Sequence, residues 1–576
     1  MKKELIEFIE KNNLSLFNSI KTQISSTQKS IYETKDAKAI HTKVLGKISQ
    51  NFVFSDTSNL LNHFNFTQDI SQIKIRQEFF RRIKDSGKME NSFLKELFIP
   101  RPNWKPDYDI TIVTENTDTF NKLKEMNCPA QLLISQTDVS LLESKDVVQV
   151  LNCDEFGLVL ESLPQAVFLR SINEAYLERH LEQLSGWKNN LKVLSENQLN
   201  NSINEILNQL MPLLRFTDKN ETKIITKDEV ERKVDEINAE ITEKIKQLTI
   251  SGESLIQMMS KGVLPENFKR AVLDSIEKRN LPVEIIEVGI PVKIDEFELD
   301  RLIQKQSANE FSQKAEGIKE YANEIKEIPT KIEQLKKELI VFDFICGISK
   351  FIKEESIFPK NSDEFLMKNS KNIFLDNAQP VSFYLNQEHK CSILTGANSG
   401  GKTTLIEHII QLISLFQLGL PVLGEINIPL FTEVYYFAKN KGSLNKGAFE
   451  TLLTQMSTIS PGNKTLILAD EIESVTEPGV AGNIIAATAQ YYLNKNCYLI
   501  VATHLGHEIQ KVLPNGARID GIEAKGLTKD FELIVDHNPV LGRLANSTPE
   551  LIVEKMSGSN NNEYFNYLNN YLKKKN

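Results

Sequence analysis

The stretch CSILTGANSGGKTTLIEHII, residues 391–410, decides the fold of the carboxyl-terminal part of the chain. It begins with Cys391 to Thr395, a short apolar run of strand length. A glycine-rich segment follows, and a helical pattern starts near Lys402. Further apolar runs of the same length, TLILA and CYLIVAT, alternate with helical segments downstream. This alternation predicts an α/β sheet with the glycine-rich segment at the carboxyl end of one strand.

The glycine-rich segment has the chemistry of a phosphate-binding loop. Its glycines lack a Cβ atom, so the backbone can turn its N–H groups toward phosphate oxygens at the start of a helix. Lys402 adds a cation for the β- and γ-phosphates, and the Thr403 hydroxyl suits Mg²⁺. We therefore predict ATP and Mg²⁺ as cofactors. The predicted nucleotide-binding residues are Gly396, Ala397, Asn398, Ser399, Gly400, Gly401, Lys402, Thr403 and Thr404.

Two later strands supply the remaining candidate residues. Thr465 to Ala469 is apolar and is followed by Asp470 and Glu471, and the run CYLIVAT is followed by His504. Asp470 is expected to share Mg²⁺ with Thr403. Glu471 is expected either to act as a general base or to orient the attacking water. Together with Lys402, Glu471 and His504 form the predicted catalytic set. The alternative for a lone histidine is a structural role.

Composition excludes several classes of protein. The 576 residues predict several domains, and the five cysteines are scattered without a CxxC pair, which argues against a disulfide framework or a zinc site. The chain has no run of about 18 apolar residues. We expect a cytoplasmic protein that does not bind membranes. A formal net charge of −9 leaves nucleic-acid binding undecided, because any such surface would be a local patch.

Helical periodicity dominates most of the chain before the glycine-rich loop. The basic stretch at residues 73–88 is interpreted as a solvated helix face. Residues 283–295, VEIIEVGIPVKID, contain β-branched residues and predict a small strand region between two helical arms. An α/β segment near residues 108–153 carries no motif for a known chemistry.

The motifs in this order resemble one ATPase family. About 68 residues separate Lys402 from Asp470, too few for the coiled coil that SMC-type ATPases insert there. TGANSGGKTT, LADEIESVTEP and VATHLGHE, after helical arms, closely resemble the MutS family of DNA mismatch-repair ATPases over residues 365–556. FTQDISQIKIRQEFF resembles the start of the MutS core domain more weakly. The implied fold is multidomain, with a mainly α-helical core, lever and clamp region followed by an α/β ABC-type P-loop ATPase domain.

The resemblance also implies domain limits. The expected segments are a helical amino-terminal region with the start of the core at 1–105, a small α/β insert at 106–160, lever helices and a clamp-like region at 161–358, the ATPase domain at 359–556 and a tail at 557–576. By the same resemblance His504 would sense the γ-phosphate. The segment SLNKGAFETLL resembles the signature helix that acts on the partner subunit's nucleotide, with Ser443, Asn445 or Gly447 as the contact. The family's Ser-Thr before Phe449 is Gly447-Ala448 here, so slow hydrolysis is expected.

The ends of the chain indicate a branch of the family. The core-like stretch begins at Phe66, and only a short tail follows Gly558. This predicts a paralogue branch without the amino-terminal mismatch-reading domain and without a carboxyl-terminal small MutS-related nuclease domain. The expected function is a homodimeric clamp ATPase on mismatched, branched or junction DNA, in mismatch repair or recombination, with DNA-contacting residues not identified. The alternatives are an ATP-gated clamp on a ribosome or other ribonucleoprotein, and a nucleotide-gated scaffold with little turnover.

Overall fold

The computed structural model describes most of the chain, in the ranges 1–24, 30–218, 225–247, 266–289, 291–396, 400–438, 446–471, 477–527, 533–545, 553, 556–558 and 563–575. The chain forms two compact units. The discontinuous unit consists of Met1–Leu97 and Lys336–Asn576, and the continuous unit is Phe98–Leu335. The protein is a multidomain α/β protein with a helical amino-terminal region and parallel sheets. Among the described residues, no helix combines the length and the apolar character needed to cross a membrane.

The continuous unit contains a four-stranded parallel sheet. Its strand order is Ala130–Leu132, Ile110–Thr114, Val147–Val150, Ala166–Phe168. Ile110–Thr114 is buried along its whole length, as expected of a β-branched strand covered on both faces. The helices between the strands are Thr117–Glu125, Gln136–Ser140 and Gly157–Glu161.

The rest of the continuous unit is helical, with the predicted strand region reduced to a short hairpin. Ile286–Glu287 pairs antiparallel with Lys293–Ile294. Val230, Val234, Ile237 and Ile241 recur at helical spacing and form one buried cluster with residues of a second helix. The helices are Glu178–Ser195, Asn201–Leu210, Lys227–Gln247, Glu266–Lys278, Glu296–Glu320, Ala322–Lys326 and Ile328–Phe351, and the short 3-10 helices are Leu141–Ser144, Ile172–Glu174, Met211–Thr217 and Val283–Ile285. The boundary between the two units falls within Ile328–Phe351.

The discontinuous unit is built on a six-stranded sheet. Its strand order is Glu433–Phe437, Thr465–Asp470, Tyr498–Ala502, Cys391–Gly396, Ala517–Ile522, Val540–Leu541. All neighbouring pairs are parallel except the last, which is antiparallel. The carboxyl ends of the parallel strands therefore meet at one edge, where ligands of open α/β sheets bind.

The discontinuous unit also contains helices and a second sheet. The helices are Lys2–Lys11, Lys35–Ser49, Ile70–Asp85, Lys402–Leu418, Lys446–Ser457, Pro478–Asn494, Gly506–Gln510 and Glu563–Lys575, with 3-10 helices at Ser55–His63 and Ser92–Glu96. The second sheet has the strand order Val381–Leu385, Phe365–Ser370, Glu425–Ile428, Lys360–Asn361. Two further strand pairs are Ser356–Ile357 with Val422–Leu423 and Ala524–Leu527 with Leu533–Val535.

The basic stretch at residues 73–88 forms most of the helix Ile70–Asp85. The interpretation as a solvated face is wrong for Arg76, which is only 8 % exposed. Arg82 does lie in solvent and pairs with Glu78 on the next turn. Arg76 is buried because it faces the carboxyl end of the helix Lys402–Leu418 and donates to the Gln417 carbonyl.

Candidate nucleotide-binding site

The glycine-rich loop begins at the end of the central strand Cys391–Gly396 and leads into the helix Lys402–Leu418, called here the P-loop helix. Gly396 has φ +132°, and a Cβ atom there would lie 2.3 Å from the Ile522 carbonyl oxygen. Gly401 has φ +93° and caps the amino end of the P-loop helix. Both positions favour glycine because their positive φ is disfavoured for residues with a side chain. At Gly396 a Cβ atom would also collide with the backbone of Ile522.

Lys402 places its ammonium group at the loop. It is 2 % exposed, and its Nζ donates to the Gly396 carbonyl at 2.7 Å, which closes the loop back on the strand. The cation lies in the first turn of a helix, where the helix dipole is positive. Both features favour a bound anion. Of the other predicted loop residues, Gly400 is buried and Thr404 is exposed, while Ala397, Asn398 and Ser399 lie outside the described residues.

Thr403 and Asp470 meet although they come from different elements. The Thr403 hydroxyl donates to Asp470 Oδ2 at 2.5 Å, and Asp470 is 2 % exposed at the end of its strand. A hydroxyl and a carboxylate are hard oxygen ligands, and Mg²⁺ takes few ligands from the protein and keeps water or phosphate oxygens for the rest. The two side chains therefore fit a Mg²⁺ ion. In the described part of the chain, no group of three or more His, Cys, Asp or Glu side chains is arranged so that it could hold a metal ion.

Glu471 has an unusual backbone and a defined partner. Its φ is +45°, a left-handed conformation that costs a non-glycine residue about 1–2 kcal/mol. Its N–H donates to the Ala502 carbonyl at 2.9 Å, and its Oε1 lies 2.8 Å from His504 Nε2. Glu471 is 9 % exposed, whereas the His504 side chain is 38 % exposed. Strain of this kind is concentrated at functional sites, where it aims a side chain.

Neighbouring strands bring His504 to this position. Asp470 lies opposite Ala502 in the parallel register, and the Thr503 N–H donates to the Leu394 carbonyl at 2.9 Å. The backbone at Ala502 and Thr503 is therefore hydrogen-bonded on one side to the end of the strand Thr465–Asp470 and on the other side to the strand Cys391–Gly396. The structure thus brings Lys402, Thr403, Asp470, Glu471 and His504 to one edge of the sheet.

His537 also contacts the loop and was not predicted. Its Nδ1 lies 2.9 Å from the Gly400 carbonyl, and the same nitrogen is 2.9 Å from where a Cβ of Gly401 would be. Neighbouring contacts hold its segment: Asp536 accepts from Gln379, and Asn538 accepts from the backbone of Ser382. The sequence around His537 contains no motif that signals this contact.

The predicted contact to a partner subunit remains a prediction. Ser443 and Asn445 lie outside the described residues. Gly447 lies in the first turn of the helix Lys446–Ser457.

Comparison with known proteins shows similarity to MutS proteins, although no family model matches the chain. The chain is 28 % identical over 579 residues to "DNA-binding protein MutS2" of Pyrococcus furiosus, an alignment that covers 94 % of this chain and 99 % of that protein. Over nearly its whole length the chain is therefore similar to a protein of the MutS family. Two shorter matches are also to MutS proteins. They are "Endonuclease MutS2" of Borreliella burgdorferi, 25 % identical over 181 residues, and "DNA mismatch repair protein MutS" of Fervidobacterium nodosum, 26 % identical over 206 residues.

The alignments to these three relatives differ in how much of each chain they cover. The alignment to the Borreliella protein covers 30 % of this chain and 23 % of that relative, and the alignment to the Fervidobacterium protein covers 34 % and 24 %. The Pyrococcus MutS2 protein, by contrast, matches nearly end to end. The similarity to the Pyrococcus protein is therefore the one among these three that extends over both units of the chain.

Proposed function

We propose that this protein is a member of the MutS family that binds ATP with Mg²⁺, hydrolyses ATP, and uses the nucleotide state to control its grip on DNA. One observation carries the ATPase part. The hydrogen-bonded pair Thr403–Asp470 lies beside the hydrogen-bonded pair Glu471–His504. Both pairs lie at the end of the loop that holds Lys402. The arrangement combines a phosphate cradle, a pair of hard oxygen ligands and a carboxylate for water, which are the parts that phosphoryl transfer needs.

Each side chain has a separate task in this reaction. Lys402 and the start of the P-loop helix attract the β- and γ-phosphates. Thr403 and Asp470 would hold Mg²⁺, which neutralises charge on the phosphate oxygens when it is bound. Glu471 orients the attacking water and accepts its proton. His504 holds the Glu471 carboxylate at 2.8 Å and is the proposed sensor of the γ-phosphate.

Phosphate release by the purified protein tests the ATPase. Release should require Mg²⁺ and stop when EDTA is added. ATP binding without release would instead favour a nucleotide-gated scaffold. Failure to bind ATP at all would remove the proposal.

The DNA part of the proposal is supported by the end-to-end similarity to a protein named as DNA-binding. We propose a homodimer that binds mismatched, branched or junction DNA in repair or recombination. With a net charge of −9, the contact surface must be a local basic patch, so binding should weaken steeply as salt rises.

Binding of homoduplex, mismatched and four-way-junction DNA, each with and without ATP and across a salt series, tests this part. The expected result is a preference for one DNA form that changes with nucleotide. Equal, weak binding to all three forms that disappears at physiological salt would contradict it. Nucleotide-dependent binding to ribosomes in place of DNA would favour the ribonucleoprotein alternative.

A further inference from the structure

The P-loop helix carries a row of polar residues although it is almost entirely buried. The row recurs at every third position and comprises His408, Gln411, Ser414 and Gln417. Buried polar groups need hydrogen-bond partners, since leaving one unpaired costs stability. The partners of this row therefore show what the helix is attached to.

The second half of the row is bonded to the amino-terminal part of the same unit. Ser414 Oγ lies 2.6 Å from the Tyr32 hydroxyl, and Gln417 Oε1 accepts the Thr67 N–H at 3.2 Å. The first half is bonded to the end of the strand Phe365–Ser370 and the segment after it: His408 Nε2 lies 3.1 Å from Ser370 Oγ, and Gln411 donates to Asn372 at 3.1 Å. The end of the helix farthest from the phosphates is thus tied to the amino-terminal helical region.

Arg76 completes the carboxyl end of the P-loop helix. The N–H groups of Gly419 and Leu420 donate to the carbonyls of Phe416 and Leu415, each at 2.9 Å. The next carbonyl, that of Gln417, accepts from Arg76 Nη1 at 2.7 Å. A side-chain cation here supplies a bond that the last turn cannot make for itself.

The approach of Arg76 is close enough to dictate a glycine. Gly419 has φ +82°, and a Cβ atom there would lie 2.4 Å from Arg76 Cβ. The helix Ile70–Asp85 therefore touches the P-loop helix at its cap, with no room for a side chain between them.

The Arg76 guanidinium lies at the carboxyl end of the P-loop helix and 6.0 Å from the centre of the Phe64 ring. Burial lowers the pKa of Arg76 to about 10, and none of the ion pairs among the described residues includes it. A buried cation needs a compensating negative charge, and the carboxyl end of a helix carries about half an electron charge. Phosphates bound at the amino end would therefore interact with the same helix dipole as the guanidinium at the carboxyl end.

We propose that Arg76 is a positioning residue for the nucleotide site, acting through the P-loop helix and coupling ATP binding to the helix Ile70–Asp85. The inference rests on the ATP binding proposed above. The two ends of this helix of 17 residues are about 25 Å apart, so Arg76 does not touch the nucleotide. By linkage, a nucleotide that tightens the amino end also tightens the contact at Arg76.

Affinity for a non-hydrolysable ATP analogue with Mg²⁺ tests the positioning role. Arg76→Met, which keeps an unbranched apolar stem and removes the charged guanidinium, should raise the Kd about threefold to tenfold. Arg76→Lys should recover part of the loss. Arg82→Met, on the exposed side of the same helix, is the matched control and should leave the Kd unchanged. Wild-type affinity in Arg76→Met, or an equal loss in Arg82→Met, would overturn the inference.

Hydrogen exchange separates this coupling from a merely structural role. In the wild type, the analogue should slow amide exchange in the helix Ile70–Asp85, and in Arg76→Met that response should be absent. If Arg76→Met does not fold, Gly419→Ala disturbs the same contact from the other side and should reduce the response. An unchanged response in the variant that folds would refute the coupling. A wild type that does not bind the analogue would remove the proposed function, and with it the inference, whereas normal wild-type binding with an unaffected variant removes the inference alone.

Discussion

The two units each contain a parallel sheet with loops at its carboxyl edge, but the loops are chemically opposite. In the six-stranded sheet the edge presents a cation, Lys402, and a strained carboxylate, Glu471. In the four-stranded sheet the corresponding edge is occupied by the chain's own anion. The Glu115 carboxylate accepts the N–H groups of Asp154, Glu155 and Phe156 at 2.7–3.0 Å.

This difference shows what topology does and does not decide. Parallel strands create an edge where backbone donors and helix starts converge. Whether that edge can accept an external anion depends on the residues that follow the strands. Glu115 satisfies three donors internally, so the four-stranded sheet is stabilised at a position where the six-stranded sheet holds its candidate site.

The largest expected effect is on Glu471. Glu471→Gln keeps the side chain's size but removes the proton acceptor, so turnover should fall about a hundredfold to ten-thousandfold while ATP binding is retained. Single-turnover phosphate release and analogue binding measure the two quantities. Glu508→Gln, which changes a partly exposed carboxylate on the helix Gly506–Gln510, is the control and should hydrolyse ATP normally. Normal turnover in Glu471→Gln would refute the assigned role.

Removal of the cation should abolish measurable ATP binding. Lys402→Ala deletes the buried ammonium group of the loop, and we expect at least about a hundredfold loss of affinity in calorimetric titration. Lys145→Ala, at the four-stranded sheet, removes a lysine that pairs with Asp109 and should leave affinity unchanged. Equal affinities for the two variants would mean that the contrast between the two sheets is wrong.

The close approach at Gly396 should make that glycine irreplaceable. Gly396→Ala adds a Cβ atom 2.3 Å from the Ile522 carbonyl, and we expect about 2–4 kcal/mol loss of stability together with weaker ATP binding. Gly516→Ala measures the cost of a positive φ without a collision. Gly516 also has a positive φ, but a Cβ atom there would lie 3.6 Å from its nearest neighbour, the Glu388 carbonyl oxygen. That control should lose only about 1 kcal/mol. Scanning calorimetry of both variants measures the difference, and equal losses would exclude the collision.

The smallest effect is expected at Glu115. Burial raises the pKa of Glu115, but its three backbone hydrogen bonds outweigh burial and lower the pKa overall. A lowered folded-state pKa gives stability that is present above the unfolded pKa of about 4.3 and is lost as pH falls through the folded value. Because solvent screens this partly exposed carboxylate, Glu115→Gln should reduce the free energy of unfolding by less than about 1 kcal/mol at neutral pH and remove this part of the acid sensitivity.

Tryptophan fluorescence during urea unfolding measures this change selectively. Both tryptophans of the chain, Trp104 and Trp187, lie in the continuous unit. Glu143→Gln, an exposed carboxylate of the same unit, is the control. ATP hydrolysis should not change in either variant, and a Glu115→Gln protein with wild-type stability at pH 7 would show that the internal anion contributes nothing.

Sequence alone is sufficient for the parts of the site whose chemistry is local. The glycines, Lys402 and Thr403 are adjacent in the chain, and the strand and helix around them follow from periodicity. The contact between Glu471 and His504 is not readable in this way, because it requires Thr465–Asp470 and Tyr498–Ala502 to be neighbouring strands. The contacts of His537 and Arg76 cannot be predicted from the sequence for the same reason. Each meets the P-loop or its helix across more than a hundred residues, and neither lies in a pattern that specifies its partner.

The bond between Tyr32 and Ser414 joins residues 382 positions apart, and this separation has a consequence for synthesis. A ribosome that adds about 5–20 residues per second reaches Ser414 roughly 20–75 s after Tyr32. The continuous unit, an unbroken stretch, is complete within that interval. The helix Lys35–Ser49, which packs against the P-loop helix, is therefore translated long before this partner, and its apolar face is covered by it only after the P-loop helix has emerged.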